Sequence, residues 1–279
     1  MTNPPLQHPE FEAARIMGEL YGAGFIGHKK AFDRDWAGRL REDIDLIFEN
    51  AKKMPGGVLN RGPNRFYVEV HPERIRGFLD MITHPWLIAV CLAVLGPDYR
   101  IVETGFDISE PGAQDQPWHR DFAMPQATAL GRRLDSLAFN ITAVDVTDDM
   151  GPLEIAPGTQ WDDLTTAADP SEMFPVKSST ARYVALAQRK MPELGDMSAR
   201  SALTIHRGTA NHSSKSRPIF VVGVDAPGAS NAARHDLQVS AAYHASLPAS
   251  VRCHLAARVV DCLESIVQAH TIDALTVGP

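Results

Sequence analysis

YRIVETGFDI (residues 99–108) opens a series of short runs rich in Val, Ile, Phe and Thr, and this series decides the fold. It continues with SLAFNITAVDV (136–146), GPLEIAP (151–157), RSALTIH (200–206) and PIFVVGV (218–224). Pro- and Gly-containing turns separate the runs, which is the punctuation of strands. The gaps between them are too short and irregular for the crossover helices of a parallel sheet, so a mainly β, antiparallel sandwich or jelly roll with flanking α-helices is expected.

Outward from this core the texture changes. Upstream, Trp36, Leu40, Ile44, Ile47 and Phe48 recur at helical spacing behind an Asp33 N-cap, predicting a helix over 33–53. A second helix is predicted over 85–95, with Pro85 in its first turn and Gly96 just past its end. Residues 162–194 have weak periodicity and read as a long loop or lid. In the tail, Val251, Leu255, Val259, Leu263 and Ile266 at three-to-four spacing predict an amphipathic helix from about 248 to 269. Neither a repeat nor a sharp composition break divides the chain. The expectation is a single domain, 1–279, with a helical part (1–98), a β core (99–226) and a helical tail (227–279).

Composition excludes classes of function. Among 279 residues, 27 Lys and Arg stand against 34 Asp and Glu, a net charge of -7, so the basic footprint of a nucleic-acid binder is missing. The N-terminus MTNPPLQHPEFEAAR lacks the basic start and apolar stretch of a secretion signal, and no apolar run is long enough to span a membrane. Cys91, Cys253 and Cys262 are odd in number and widely spaced, which argues against a disulfide framework or zinc knuckle. They read as buried packers on helices, and a cytoplasmic protein acting on a small molecule, with neither nucleic acid nor membrane as partner, is expected.

The chemistry concentrates in QPWHRDFAMP (116–125). His119 and Asp121 are two apart, so on an extended segment both side chains reach one side and one metal. Downstream, TIHRGTANHSSKSRP (204–218) supplies His206. Two imidazoles and one carboxylate on one face of a metal leave open positions, the donor set of non-haem iron(II) oxygenases. With 11 histidines an H-x-D triplet alone carries little weight. The triplets His8-Pro9-Glu10 and His71-Pro72-Glu73 are better read as helix starts.

The wider pattern is specific: H-x-D, then Gly151-Pro152-Leu153 and Pro157-Gly158-Thr159, then His206 with Arg217 eleven residues on. It resembles the phytanoyl-CoA dioxygenase family of iron(II)/2-oxoglutarate oxygenases. The likeness extends upstream into YGAGFIGHKKAFDRDWAGRLREDI (21–44) and HPWLIAVCLAVLGPDYRI (84–101). The resemblance implies a double-stranded β-helix core of the cupin-like jelly-roll type. It also implies iron(II) on His119, Asp121 and His206, and 2-oxoglutarate anchored by Arg217, with Asn140 or Thr142 as a neutral neighbour of the keto acid. The implied reaction uses O2 to hydroxylate an unactivated C–H of a small molecule, releasing succinate and CO2. Related halogenating enzymes replace the carboxylate with a small residue, so Asp121 favours hydroxylation.

Two positions depart from the family pattern: Gln160 stands where a histidine is usual, and the small residue two places after the second histidine is Gly208. His212 shares strand parity with His206 and competes with it, but only His206 keeps the eleven-residue step to Arg217. Trp118, Phe122, Arg132 and Gln160 are candidate substrate contacts, with core packing or a solvated turn as their ordinary alternatives. A cupin-like metal enzyme without oxidation, an isomerase, lyase or hydrolase, is the competing function, and such an enzyme has no use for a keto-acid anchor.

Overall fold

Strict alternation along the β runs sorts side chains into an apolar face and a polar one, and the computed structural model, which describes residues 12–164, 173–229 and 235–268, builds on that division. The strands are β1 (Phe25–His28), β2 (Leu59–Asn60), β3 (Arg65–Glu69), β4 (Arg100–Ser109), β5 (Ser136–Thr142), β6 (Leu153–Ile155), β7 (Gln188–Lys190), β8 (Met197–Ser201), β9 (His206–Gly208), β10 (Arg217–Asp225), β11 (Gln238–Ser240) and β12 (Arg258–Val260). The helices are α1 (Ala13–Gly22), α2 (Arg34–Ala51), α3 (Phe78–Ile82), α4 (Pro85–Val94), α5 (Gln126–Gly131), α6 (Thr180–Leu186), α7 (Ala241–Ser246) and α8 (Ala249–Arg252). A seven-stranded antiparallel sheet in the order β1-β8-β5-β10-β4-β3-β2 faces a three-stranded one, β7-β6-β9. This is the jelly roll expected from the strand spacing.

The large sheet turns its apolar face to the helices. Phe139 and Ile141 of β5, Phe220, Val222 and Val224 of β10, and Phe106 and Ile108 of β4 are buried with Leu40, Ile44 and Phe48 of α2 and Trp86, Leu87 and Val90 of α4. Trp86 meets Phe139 edge-on at 6.1 Å, and Phe48 meets Phe106 at 6.4 Å. Burying each such side chain contributes about 2–3 kcal/mol. Both predicted helices form. Asp33 accepts a hydrogen bond from Trp36 N at 2.7 Å, and Gly96, at φ 88°, follows α4 in the left-handed region that glycine alone enters without cost. The opposite, polar face of the sheet looks into the barrel.

Four expectations need correction. The stretch before residue 98 also holds β1 and β3, which join the large sheet beside β8 and β4; four- and five-residue strands leave too little periodicity to stand out. The tail is not one helix. After α8 the chain turns at His254, whose ring stacks on Tyr99 at 3.8 Å, and hydrogen-bonds alongside Ile101 before forming β12, parallel to β11. Of its apolar series, Val251 and Leu255 are buried and Val259 is half exposed; Ala269 lies outside the described residues. The segment 162–194 carries α6 and β7, and β7 belongs to the small sheet, so only part of it is loop; 165–172 lie outside the described residues. Cys91 is buried, but Cys253 and Cys262 are exposed thiols at turns.

The H-P-E reading holds at His71, where Pro72–Arg74 form a turn of 3-10 helix and Glu73 accepts from Ser240 N; His8 lies outside the described residues. Among the described residues, no helix is long and apolar enough to cross a membrane.

Candidate metal centre and keto-acid cavity

Backbone pairing creates the centre. His119 N donates to His206 O at 3.0 Å and His206 N donates to His119 O at 2.8 Å, so the H-x-D segment lies against β9 as a further short edge of the small sheet. The two imidazoles are thereby brought to 4.4 Å between centroids, and two residues on, Asp121 is held by its N–H donating to Ala202 O. His119, Asp121 and His206 each offer a ligand atom within 4.8 Å of the others. They are the one such group of three among the described residues. His212 is exposed and lies outside this group.

Local hydrogen bonds set the tautomers. His119 Nδ1 lies 2.8 Å from Pro117 O and His206 Nδ1 lies 2.9 Å from Thr204 O; a carbonyl only accepts, so each Nδ1 carries the proton. Each Nε2 then keeps its lone pair, as a metal ligand requires. His206 Nε2 sits 3.4 Å from Asp121 Oδ1. Burial pushes His119 down to about 4 and His206 well below the ordinary histidine value, so both are neutral at pH 7. Burial would raise Asp121, but the Arg200 charge and the two histidines outweigh it and hold the carboxyl at about 2. Two neutral imidazoles and one carboxylate fit iron(II).

Arg217 begins β10 and faces the same cavity. It is 3% exposed, its Nε has no hydrogen-bond partner, and burial, with Arg65 adding to it, pushes its guanidinium down to about 10 against the pull of Asp107. A buried, unpaired guanidinium fits a carboxylate ligand. Asn140 lines this cavity; Thr142, two residues further along β5, does not. Phe122 lines it as well.

Three sequence candidates lie elsewhere. Trp118 packs with Leu164, Tyr183 and Ile205 in a separate apolar cluster. Arg132 is exposed, 5.5 Å from the Trp161 ring. Gln160 is fully buried and its Nε2 donates to Tyr21 O at 2.7 Å, tying the strand-to-loop turn to the end of α1. Sequence reasoning missed Arg200, Arg65 and Ser109. The available signal was charge: Arg65 opens β3 and Arg200 stands within β8, and a charge on a buried strand demands a partner.

Comparison with known proteins agrees with the geometry. The chain matches a crystal structure of EctD from S. alaskensis, which holds 2-oxoglutarate and 5-hydroxyectoine, at 14% identity and a TM-score of 0.60, covering 81% of this chain and 78% of that one. It also matches SnoN, a non-heme alpha-ketoglutarate-dependent epimerase from nogalamycin biosynthesis, at 16% identity and a TM-score of 0.57, covering 77% and 80%. At these identities the likeness establishes the fold alone. No curated protein sequence matches. The family model for phytanoyl-CoA dioxygenase (PhyH) matches residues 21–219, most of the chain and all of the centre just described. With that match and its His-Asp-His centre, the chain belongs to the phytanoyl-CoA dioxygenase family, whose cofactors are iron(II), 2-oxoglutarate and O2.

Proposed function

We propose that the protein hydroxylates an unactivated C–H of a small molecule, coupled to conversion of 2-oxoglutarate to succinate and CO2. The observation that carries this reading is the buried, unpaired Arg217 in the same cavity as the His119–Asp121–His206 group. O2 is the oxidant; iron(II) chelated by the keto acid would activate it, one oxygen atom going to the substrate and the other to succinate. The chain's own residues supply position. His119 and His206 would hold the metal through Nε2, and Asp121 would do so through a carboxylate that Arg200 orients. Arg217 would fix the far carboxylate, and Phe122, next in sequence to Asp121, would add apolar surface to the cavity wall.

The retained carboxylate at Asp121 supports hydroxylation over halide transfer. A non-oxidative cupin-like reaction leaves Arg217 without a use. The unpaired thiols Cys253 and Cys262, exposed at the surface, fit a reducing cytoplasm. The test is a screen of small molecules with iron(II), 2-oxoglutarate and O2, reading succinate and product mass together. Succinate formed in step with a product that gains one oxygen atom is expected. Metal-dependent conversion of a substrate without 2-oxoglutarate would overturn the reading.

A further inference from the structure

The metal cavity is divided by charge. Sheet register sets Arg65 of β3 opposite Ser109 of β4 and Ser109 opposite Arg217 of β10, all three buried, and this is the end where Arg217 would fix the far carboxylate. Another part of the wall carries the opposite sign. Glu103 of β4 stands opposite Gly223 of β10, Gly223 opposite Ala138 of β5, and Ala138 opposite Arg200 of β8. One row of the inner face thus runs from Glu103 to the arginine that holds Asp121. Tyr67, Glu103, Gly223 and His235 line the same cavity as His119, Asp121 and His206.

Two glycines make room for this acidic wall. A Cβ on Gly223 would lie 2.7 Å from Glu103 Oε2, and a Cβ on Gly105 would lie 2.5 Å from the Tyr67 hydroxyl. Glycine weakens a strand interior, and here it marks where two side chains lie flat across the sheet. Tyr67 Oη donates to Glu103 Oε1 at 2.5 Å, so Oε2 is the oxygen held above Gly223. Burial pushes the Tyr67 hydroxyl well above its ordinary value, with Glu103 and Glu69 adding to it, and it stays a donor. His235 lies between two carboxylates, its Nε2 3.7 Å from Glu103 Oε2 and its Nδ1 3.5 Å from Glu69 Oε2. The buried Asp225 acts on the same groups through space. Among the described residues, no lysine or arginine makes an ion pair with Glu69, Glu103 or Asp225. Three desolvated carboxylates around one imidazole are short of positive charge, which is the complement of a cation.

We propose that the substrate carries a cationic nitrogen, a primary or secondary ammonium, which donates to Glu103 Oε2 and so turns a C–H of the same molecule toward the metal. This rests on the oxygenase reading above. Gly223 and Arg200 are two strand spacings apart, about 10 Å, so a short carbon chain spans from the ammonium to the metal. Glu103 is the specificity-determining residue, and Tyr67 is a positioning residue that fixes the plane of its carboxylate.

The test is a panel of linear, cyclic and aromatic amines, each paired with its N-acetyl derivative, offered with iron(II), 2-oxoglutarate and O2 and read by succinate and product mass. Turnover is expected from the ammonium member of a pair, with kcat/KM at least about 10-fold above that of the amide. In Glu103→Gln, KM for the best amine rises by about 10- to 100-fold, while the anaerobic 2-oxoglutarate band keeps its parent affinity within about twofold. Gly223→Ala, which pushes the Glu103 carboxylate aside without removing it, raises KM in the same way, and Tyr67→Phe raises it by about 3- to 10-fold. Amides turned over as well as amines, or an amine whose KM is unchanged in Glu103→Gln, would overturn the proposal. Equal weakening of the 2-oxoglutarate band and of the amine would assign this wall a merely structural role and overturn it as well. A parent that forms the band and turns over no amine refutes the amine assignment alone. Failure of the oxygenase reading looks different: the parent binds iron and gives no band with 2-oxoglutarate.

Discussion

Arg200 of β8 grips the carboxylate of Asp121 with both arms of its guanidinium, Nη1 to Oδ2 at 2.9 Å and Nη2 to Oδ1 at 3.4 Å, across 79 residues of chain. The arginine is 6% exposed and the pair sits at the wall of the metal cavity. A forked donor fixes the plane of the carboxylate, which decides which oxygen faces the two Nε2 atoms.

Removing that grip is expected to loosen the metal without deleting a ligand. Arg200→Met should lower iron(II) affinity by about 10- to 100-fold, measured by competition with a chelator. Unchanged affinity would show that Asp121 is oriented by other means.

The buried histidines make the metal-free protein acid-sensitive. An unfolded histidine titrates near 6.5, whereas folded His119 titrates at about 4 and His206 lower still. Between about pH 6.5 and 4 the unfolded chain binds protons that the folded chain refuses, so stability is full above 6.5 and falls as pH drops through this window. His119 alone contributes on the order of 3 kcal/mol to that loss. Denaturant midpoints at pH 7.5, 6.5 and 5.5 should decline in the parent and decline less in His119→Gln. Parallel curves would contradict the assignment.

At the far end of β10, Asp225 has the opposite sign. Burial raises its carboxyl to about 6, although Ser136 Oγ donates to Oδ1 at 2.7 Å, and Oδ2 has no partner. A folded value above the unfolded one means that stability is lost as pH rises from about 4 to 6. Asp225→Asn keeps an acceptor for Ser136 and removes the buried charge. It should stabilise the protein by about 2 kcal/mol at pH 8 and by nothing measurable at pH 4. Destabilisation at pH 8 would mean that the ionised carboxylate has a partner the fold depends on.

What the sequence made legible follows the range of the interaction. His119 and Asp121 are two residues apart on extended backbone, and His206 and Arg217 belong to one contiguous stretch, so local parity and motif spacing reveal them. The strand runs 99–108, 136–142 and 218–224 are readable because six or more residues of β-formers repeat a period of two. Arg200, Arg65 and Ser109 are invisible in this way. Their meaning arises from sheet register, which pairs Arg65 with Ser109 across 44 positions (109 - 65 = 44) and leaves no trace in local periodicity. The tail departs from the expected helix because Val251 and Leu255 fit one locally, while at the turn after α8 His254 stacks on Tyr99, a contact no local pattern encodes. Trp118 and Gln160 sit beside motif residues yet serve the scaffold, Trp118 in a separate apolar cluster and Gln160 through its hydrogen bond to Tyr21 O, contacts that span too much sequence to be read locally.

An N-cap carries a simpler expectation for the helical layer. Asp33→Ala removes the acceptor for Trp36 N at the start of α2 and should cost about 1 kcal/mol, read as a shifted denaturant midpoint with an unchanged slope. No shift would show that α2 is held by packing alone.

The central claim, that one cavity holds iron(II) on His119, Asp121 and His206 and a keto diacid on Arg217, is tested most directly by titrating the iron(II)-loaded protein anaerobically with 2-oxoglutarate and recording the visible charge-transfer band. The account predicts a saturable band in the parent, abolished in His206→Ala and weakened in Arg217→Ala. Bound iron with no band at any 2-oxoglutarate concentration would contradict it.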